Sequence, residues 1–149
     1  MRKLLVLIGA ATALALPALA ADDPIAVRQA LMQNNAGAAA LAGGVLKGEL
    51  AYSPAVGKAA IAAWQATALA VADFFPEGSA DPARSAASPK IWEDLAGFQD
   101  LLGKFQAASA AAADASGKDG PADAEAFKAA VEPVLGSCKG CHDEYRLEN

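Results

Sequence analysis

The chain has 149 residues, about the size of one small domain, and its composition narrows the classes of protein to which it can belong. Hydrophobic residues make up 54% of it, but 41 of the residues are alanines, which bury little surface. Only two Thr, four Ile and seven Val are present, so a protein built on β-sheets is excluded and an all-α fold is predicted. The formal charge of −5 argues against a nucleic-acid partner.

The first twenty residues have the pattern of a secretory signal peptide. Arg2 and Lys3 form a positive start, residues 4–16 are apolar, and small residues at 18–20 provide for cleavage before Ala21. Cleavage would remove two cations, so the formal charge changes from −5 to −7. No apolar run of span length follows, so we expect an exported protein whose body contains no membrane span.

Two helices are predicted in the first half of the mature chain. The first runs from about Pro24 to Lys47, with Asp23 as its N-cap and a proline at the first helical position. The second opens with the same arrangement at Ser53-Pro54 and ends at the Pro-Glu-Gly sequence of residues 76–78. Residues 76–87 are small and polar, which predicts a solvated crossing to the next helix.

Two more helices are predicted in the second half. The third opens at Ser88-Pro89 and carries a continuous apolar stripe up to an alanine-rich tail that ends near Gly117. The fourth begins near Asp123 and keeps one apolar face as far as Tyr145, with Pro133 expected to bend it. Residues 21–149 are therefore predicted to form an antiparallel four-helix bundle, whose alanine-rich core is thin enough that another group is expected to fill its middle.

The sequence Cys-Lys-Gly-Cys-His at residues 138–142 is the attachment signature of c-type haem. Cys138 and Cys141 lie one turn apart on a helix, so both thiols can reach the vinyl groups of one porphyrin. His142 follows on the same side and projects its imidazole toward the iron as the proximal ligand. The motif uses every cysteine and the only histidine of the chain, which predicts a single, covalently bound haem c between the helices.

Three other interpretations of the cysteine pair compete with haem attachment. A thioredoxin-like redox pair belongs just after a strand, and no strand is predicted here. A disulfide between residues three apart would strain a helix. A zinc site usually needs four protein ligands, and the chain offers two cysteines and one histidine, so carboxylates would have to complete it.

The sixth ligand of the iron is the question that the motif leaves open. After removal of the signal peptide, Met32 is the one remaining methionine, so the far face of the haem is either open or capped by Met32 or, as a weaker alternative, a lysine. Arg28 lies one helical turn before Met32, where it can pair with a haem propionate. The alternative is that Met32 is core filler and Arg28 a solvated surface charge.

The chain resembles class II c-type cytochromes, the group of cytochrome c′ and cytochrome c-556. The resemblance covers essentially the whole mature chain. It rests on the haem motif at the C-terminus, on Arg28-Gln29 to Met32, on Leu46-Lys47-Gly48, and on Ser88 to Trp92. It implies a four-helix bundle with haem between the helices, and a periplasmic location. It also implies that Gln29, Lys90 and Ile91 border the haem and that Arg146 tunes the potential, although Ile91 is equally suited to the core and Arg146 to capping a helix C-terminus.

The resemblance also implies two alternative functions. Members of the c-556 type use a methionine of the first helix as sixth ligand and carry electrons. Members of the c′ type have a five-coordinate haem, bind NO or CO, and are often homodimers through their first two helices. Residues 73–76 and 88–92 favour the c-556 type, so we expect a periplasmic electron carrier with His142 and Met32 as iron ligands and a redox partner protein, and no catalytic residues. A thiol oxidoreductase using Cys138 and Cys141 is the remaining alternative.

Overall fold

The computed structural model of the protein describes residues 23–148, and the predicted signal peptide lies outside the described residues. The helices are α1 Pro24–Leu46, α2 Pro54–Ala70, a 3-10 turn Val71–Phe74, α3 Lys90–Glu93, α4 Leu95–Ser116 and α5 Ala124–Tyr145. The only β-pairing in this part of the chain is an isolated bridge between Ala87 and Arg146. The predicted all-α class is therefore confirmed.

The helix starts lie where the sequence predicts them. The side chain of Asp23 accepts hydrogen bonds from the backbone N–H groups of Ile25 and Ala26 at 3.1 and 3.3 Å. Ser53 and Asp123 cap α2 and α5 in the same way. These side chains satisfy backbone donors that the first turn of a helix cannot satisfy internally, which fixes where each helix begins.

The third predicted helix is broken, and here the prediction from the sequence was wrong. A single turn, α3, follows Ser88-Pro89, and the chain then leaves helical geometry at Asp94, where φ is −127° and ψ is 60°. The carboxylate of Asp94 accepts from the backbone N–H of Gly97 at 3.1 Å and from the hydroxyl of Tyr145 at 2.7 Å. Asp94 is thus the N-cap of α4, and the apolar stripe continues across the break because both pieces pack on the same core.

Hydrogen bonds between distant residues show which long helices lie side by side, and the short connections between α1 and α2 and between α4 and α5 make these pairs antiparallel. Asn34 of α1 donates to the carbonyl of Ala63 on α2 at 2.9 Å, and Gln106 of α4 donates to that of Ala68 at 3.0 Å. Tyr145, at the end of α5, meets Asp94 at the start of α4. The predicted four-helix bundle is confirmed, and α1 and α5 are the long neighbours that touch least.

The core is made of the inner faces of the four long helices. Its largest fully buried side chains are Trp64, Phe127, Ile61, Val71, Val131 and Val134. Phe127 packs on Tyr52, with ring centroids 5.6 Å apart. This packing fills the part of the bundle that is distant from the C-terminal end of α5. The thinly packed part of the core, which the alanine content predicts, therefore lies near the C-terminal end of α5.

The expectation of no apolar run of span length in the body needs one correction. The helical stretch Pro54–Phe74 has 21 residues and a mean hydropathy of 1.3, so by length and composition it passes as a candidate span. Its hydropathy comes from nine alanines together with a few larger apolar residues, and Lys58 and Asp73 are its charged residues. In the bundle this stretch buries Trp64 and Ile61 against α1 and α4, as a core helix does.

Candidate functional site

A cavity of about 610 Å³ lies between the first half of α1 and the C-terminal end of α5. The chain segment 82–87 forms a third wall. The apolar part of its lining comprises Met32, Ala36, Phe75, Pro82, Ala83, Ala86, Ala87, Ile91, Phe98, Cys141 and Tyr145. A mostly apolar cavity of this size falls within the range of about 300–1,000 Å³ typical of ligand and cofactor sites.

The last two turns of α5 carry the cysteines and the histidine to this cavity. Cys141 and His142 line it, and Cys138 lies one turn earlier on the same helix. Cys138 is half-buried, and its thiol donates to the carbonyl of Val134 at 3.3 Å. The two cysteines are not joined in a disulfide. Helical geometry therefore keeps both thiols separate and presents the imidazole beside them.

Burial sets the charge state of these three side chains. It raises the pKa of the Cys138 thiol and of the Cys141 thiol, so both remain protonated at neutral pH. Disulfide-exchange sites show the opposite, a lowered thiol pKa that generates the thiolate. Burial and then the nearby Arg146 lower the pKa of His142. The neutral imidazole is the form that binds a metal.

Met32 reaches the same cavity from the facing helix. It lies on α1, is 36% exposed, and lines the cavity together with Ala36 one turn further along. The fold thus brings one imidazole, from α5, and one thioether, from α1, to a shared apolar space. Both are ligands that iron accepts in haem proteins.

Arg28 is buried, so it is not the solvated surface charge that the sequence allows as an alternative. Its guanidinium is 4% exposed and donates to the carbonyl of Phe74 at 2.7 Å, to the hydroxyl of Ser79 at 2.8 Å and to the carbonyl of Ser79 at 2.9 Å. It also stacks 4.8 Å from the ring centroid of Phe75. Burial lowers its pKa. Both terminal nitrogens of Arg28 therefore bind the segment after α2, and only its Nε has no partner within residues 23–148.

The other side chains that the resemblance singles out divide into two groups. Gln29, Ile91 and Arg146 line the cavity, and the amide of Gln29 donates to the carbonyl of Arg84 at 2.6 Å. Lys90 is not among the lining residues. Its ammonium pairs with the carboxylate of Glu144, and that hydrogen bond raises the pKa of Lys90.

The cavity is lined by an aromatic group that the sequence did not place there. Phe75 and Phe98 meet edge to face with centroids 4.7 Å apart, and Phe98 meets Tyr145 at 5.5 Å. The hydrogen bond that Tyr145 donates to Asp94 raises the pKa of Tyr145 to about 12. Phe98 stands on the predicted stripe of α4, so its burial was readable, but its position beside the C-terminal end of α5 was not.

The segment of residues 76–89, hereafter the crossing loop, is largely exposed, as its composition predicts, but it is also anchored to the bundle at several points. Ser79 is 8% exposed beneath Arg28. Further along, the backbone N–H of Leu147 donates to the carbonyl of Ala86 at 2.8 Å, and that of Ser88 to the carbonyl of Tyr145 at 3.0 Å. The loop is therefore attached both to α1 and to the end of α5, and this makes it a wall of the cavity.

The donor set of the cavity fits a covalently attached haem. The cavity lining provides the thiol of Cys141, one imidazole, one thioether and apolar side chains, and the thiol of Cys138 lies one turn earlier on the same helix. Within residues 23–148, no group of three or more His, Cys, Asp and Glu side chains is arranged to hold a metal ion by itself. A porphyrin supplies the four further ligands that a metal at this site needs. A helical bundle with these donors is the arrangement of a c-type haem protein.

Comparison with known proteins agrees with this arrangement. The family model described as Cytochrome C' matches residues 23–146. Cytochrome c' of Rhodopseudomonas palustris is 38% identical over 131 residues, covering 88% of this chain and 86% of that protein. Cytochrome c-556 of the same organism is 29% identical over 150 residues, covering 98% and 97%. The solved structure of cytochrome c' from Rhodopseudomonas palustris superposes with a TM-score of 0.75 at 37% identity, covering 85% of this chain and 98% of that one.

The chain therefore belongs to the cytochrome c′ family, as its resemblance predicts. It is a mono-haem cytochrome of the c′ and c-556 group, and its cofactor is a single, covalently attached haem c.

Proposed function

We propose that the protein is a periplasmic electron carrier. Cys138 and Cys141 attach the haem as thioethers, and His142 and Met32 are the two axial ligands of the iron. The observation that carries this proposal is that Met32 and His142 line one cavity from facing helices. When bound, the haem supplies a one-electron couple between ferric and ferrous iron.

The surrounding residues suit electron transfer. Met32 and His142 each lie on a helix of more than twenty residues, so packing of the bundle limits how far either ligand moves when the iron changes its charge. The apolar side chains of Ile91 and Phe98 are buried in the cavity wall and exclude water from it. Fixed ligands and few waters keep the structural rearrangement that accompanies electron transfer small.

The charge of the protein indicates how it meets a partner. With the predicted signal peptide removed, its formal charge is −7, changed from −5 by the loss of Arg2 and Lys3. Two haem propionates add to this negative charge. A redox partner protein with a basic docking face would be attracted over long range, and its association rate would fall with ionic strength.

A second candidate function is gas binding at a five-coordinate iron. It is favoured by the comparison, because the cytochrome c' of Rhodopseudomonas palustris is more similar in sequence, at 38% identity, than the cytochrome c-556, at 29%. In this alternative Met32 lines the distal space without binding the iron, and NO or CO enters beneath it. Pairing of two copies through α1 and α2 would then leave Leu41 and Leu69, which are 41% and 76% exposed, less accessible to water.

Optical spectra of the purified holoprotein distinguish the two functions. If Met32 ligates the iron, the ferrous protein has sharp, split low-spin bands that do not change under CO. Met32→Leu keeps the side-chain volume but removes the sulfur, so its iron becomes high-spin and binds CO. A ferrous wild-type protein that is high-spin and binds CO at once contradicts the electron-carrier proposal and supports the gas-binding one.

A matched control keeps the composition constant. In the double variant Leu31→Met with Met32→Leu, the thioether moves to position 31, which is not among the residues that line the cavity. We expect its spectrum to match that of Met32→Leu. A low-spin spectrum in this variant would show that the position of the thioether does not decide ligation.

Haem attachment through both cysteines is tested separately. The mass of the exported protein should exceed that of the peptide chain by one haem, and iodoacetamide should label neither Cys138 nor Cys141. Labelling of both thiols in a colourless protein would contradict the attachment and with it the proposed function.

A further inference from the structure

The crossing loop brings an arginine to the rim of the cavity, at the end away from the cysteines. We propose that Arg84 binds a propionate of the haem, and that Arg28 acts as a positioning residue which holds the loop that carries Arg84. This inference rests on the proposed function, since it presupposes attachment at Cys138 and Cys141. It reassigns the propionate contact that the spacing of Arg28 and Met32 predicts from the sequence.

Arg84 already holds a carboxylate in this structure. Its guanidinium forms an ion pair with the Oδ2 atom of Asp23, and its side chain lines the cavity. The Oδ1 atom of Asp23 caps α1 by accepting from Ile25 and Ala26. The cap does not depend on Arg84, so the guanidinium can exchange Asp23 for another carboxylate while α1 keeps its N-terminal cap.

The backbone of Arg84 is held at the rim. Its carbonyl accepts from the amide of Gln29 at 2.6 Å, and its N–H donates to the carbonyl of Asp81 at 3.0 Å. Three residues further, Ala87 pairs with Arg146 in the isolated bridge. Gln29 therefore has a positioning role toward Arg84, which gives a physical reason for an amide at that place on α1.

The position of Arg84 matches the edge of the porphyrin that carries the propionates. Because α1 and α5 are antiparallel, the direction from Cys138 toward Arg146 on α5 corresponds to the direction from Ala36 toward Arg28 on α1. The vinyl groups attached to the cysteines and the two propionates lie on opposite edges of a haem. The propionates therefore point toward the end of the cavity where the crossing loop passes the N-terminal turns of α1.

The other two arginines of the cavity form no ion pair with a carboxylate within the described residues. The terminal nitrogens of Arg28 are bound to Phe74 and Ser79, so a propionate could reach only its Nε without displacing one of three hydrogen bonds. Arg146 lies four residues after His142 at the end of α5, where its backbone N–H donates to the carbonyl of His142 at 3.2 Å. Within the described residues, the cavity lining contains no Asp, Glu or Lys side chain, so its cations are arginines. Of these, Arg84 is the one that already pairs with a carboxylate, that of Asp23.

Resonance Raman spectroscopy of the holoprotein tests the assignment, because the bending modes of the haem propionates shift with the hydrogen bonds that they accept. Arg84→Gln should shift one propionate mode to lower frequency and lower the midpoint potential, since loss of a cation near the haem favours ferric iron. Arg84→Lys restores the charge and should recover part of the potential. Lys104→Gln removes a cation from an exposed ion pair on α4, with Asp100, and is the matched control in which neither quantity changes.

The outcomes separate cleanly from those for the proposed function. Each variant is first checked for haem by mass and for its ligands by optical spectrum, so loss of haem or of low-spin bands reports on the proposed function. With both intact, a propionate mode that shifts in Arg84→Gln, and by less in Arg28→Gln, supports the assignment. Unchanged propionate modes in Arg84→Gln overturn it, and a larger shift in Arg28→Gln than in Arg84→Gln returns the contact to Arg28.

Discussion

The attachment of the crossing loop to α1 depends on a buried hydroxyl, and Ser79→Ala measures what that attachment contributes. Ser79 is 8% exposed. Its Oγ accepts from the guanidinium of Arg28 at 2.8 Å and donates to the carbonyl of Pro76 at 2.8 Å. A net hydrogen bond to a charged group contributes about 1.5–3 kcal/mol and a neutral one about 0.5–1.5 kcal/mol.

The expected cost of Ser79→Ala is smaller than the sum of these two values. Arg28 keeps its bonds to the carbonyls of Phe74 and Ser79, and water can reach part of the vacated space. We expect a loss of about 1–3 kcal/mol in the free energy of unfolding, measured by urea denaturation of the holoprotein. Amide hydrogen exchange of residues 76–89 should accelerate by more than that of α2, because the lost contacts belong to the loop.

Ser109→Ala is the matched control. Ser109 is a serine at 1% exposure on α4, and its Oγ has no hydrogen-bond partner within residues 23–148. Replacing a buried, unpartnered hydroxyl by a methyl group in a helix should leave the stability unchanged or raise it. Equal losses in the two variants would refute the reasoning, since burial of a hydroxyl rather than its partners would then decide the cost.

Four further variants test single contacts of the fold. The pKa of Asp94 lies below its ordinary value of 3.8, first because the hydroxyl of Tyr145 donates to the carboxylate. This contact therefore stabilises the fold above pH 3.8, and the stabilisation is lost as the pH falls below that value. Asp94→Asn should therefore make the unfolding free energy less sensitive to acid as the pH falls through 3.8 and below, and an unchanged sensitivity in that range would contradict this. Gly120 has φ of 96°, and an added Cβ would collide with a backbone carbonyl of α2, so Gly120→Ala should destabilise the fold. Gly136 lies in α5, and an added Cβ there would have no neighbour within 4 Å. Gly136→Ala should therefore stabilise α5 by about 0.5–1 kcal/mol, and thermal unfolding measures both effects. Phe127→Ala removes a side chain at 0% exposure and should cost about 3–5 kcal/mol in urea unfolding, and a cost below 1 kcal/mol would show that the core collapses around the deletion.

Features of this protein that depend on neighbours along the chain could be read from the sequence. Asp23, Ser53 and Asp123 cap helices because their side chains reach backbone groups two or three residues away. The haem motif is local in the same sense, since Cys138, Cys141 and His142 lie within about one turn of α5 and its geometry alone groups them. The bundle also followed, because four amphipathic helices with mostly short connections have few other ways to bury their apolar faces.

Features that depend on contacts between distant parts of the chain could not be read. The apolar stripe of the third predicted helix continues without interruption past Asp94, so the sequence does not show that the helix breaks there. The hydroxyl that helps to hold Asp94 in its non-helical conformation belongs to Tyr145, 51 residues away. The partners of Arg28 are separated from it by 46 and 51 residues, and one of them, Ser79, lies in the segment that the sequence predicts as a solvated crossing. No pattern in the neighbouring residues indicates which polar groups from distant parts of the chain will come into contact.

The sequence by itself thus determined that this chain is helical and that the end of α5 carries the haem-attachment motif, because caps, periodicity and a five-residue motif act within one or two helical turns. How the cavity is closed depends on contacts between distant parts of the chain. The crossing loop, although largely exposed, becomes a wall of the cavity because Arg28 and the end of α5 satisfy several of its backbone groups, which water would otherwise satisfy. That choice depends on the relative positions of α1 and α5, which follow from the packing of the whole bundle.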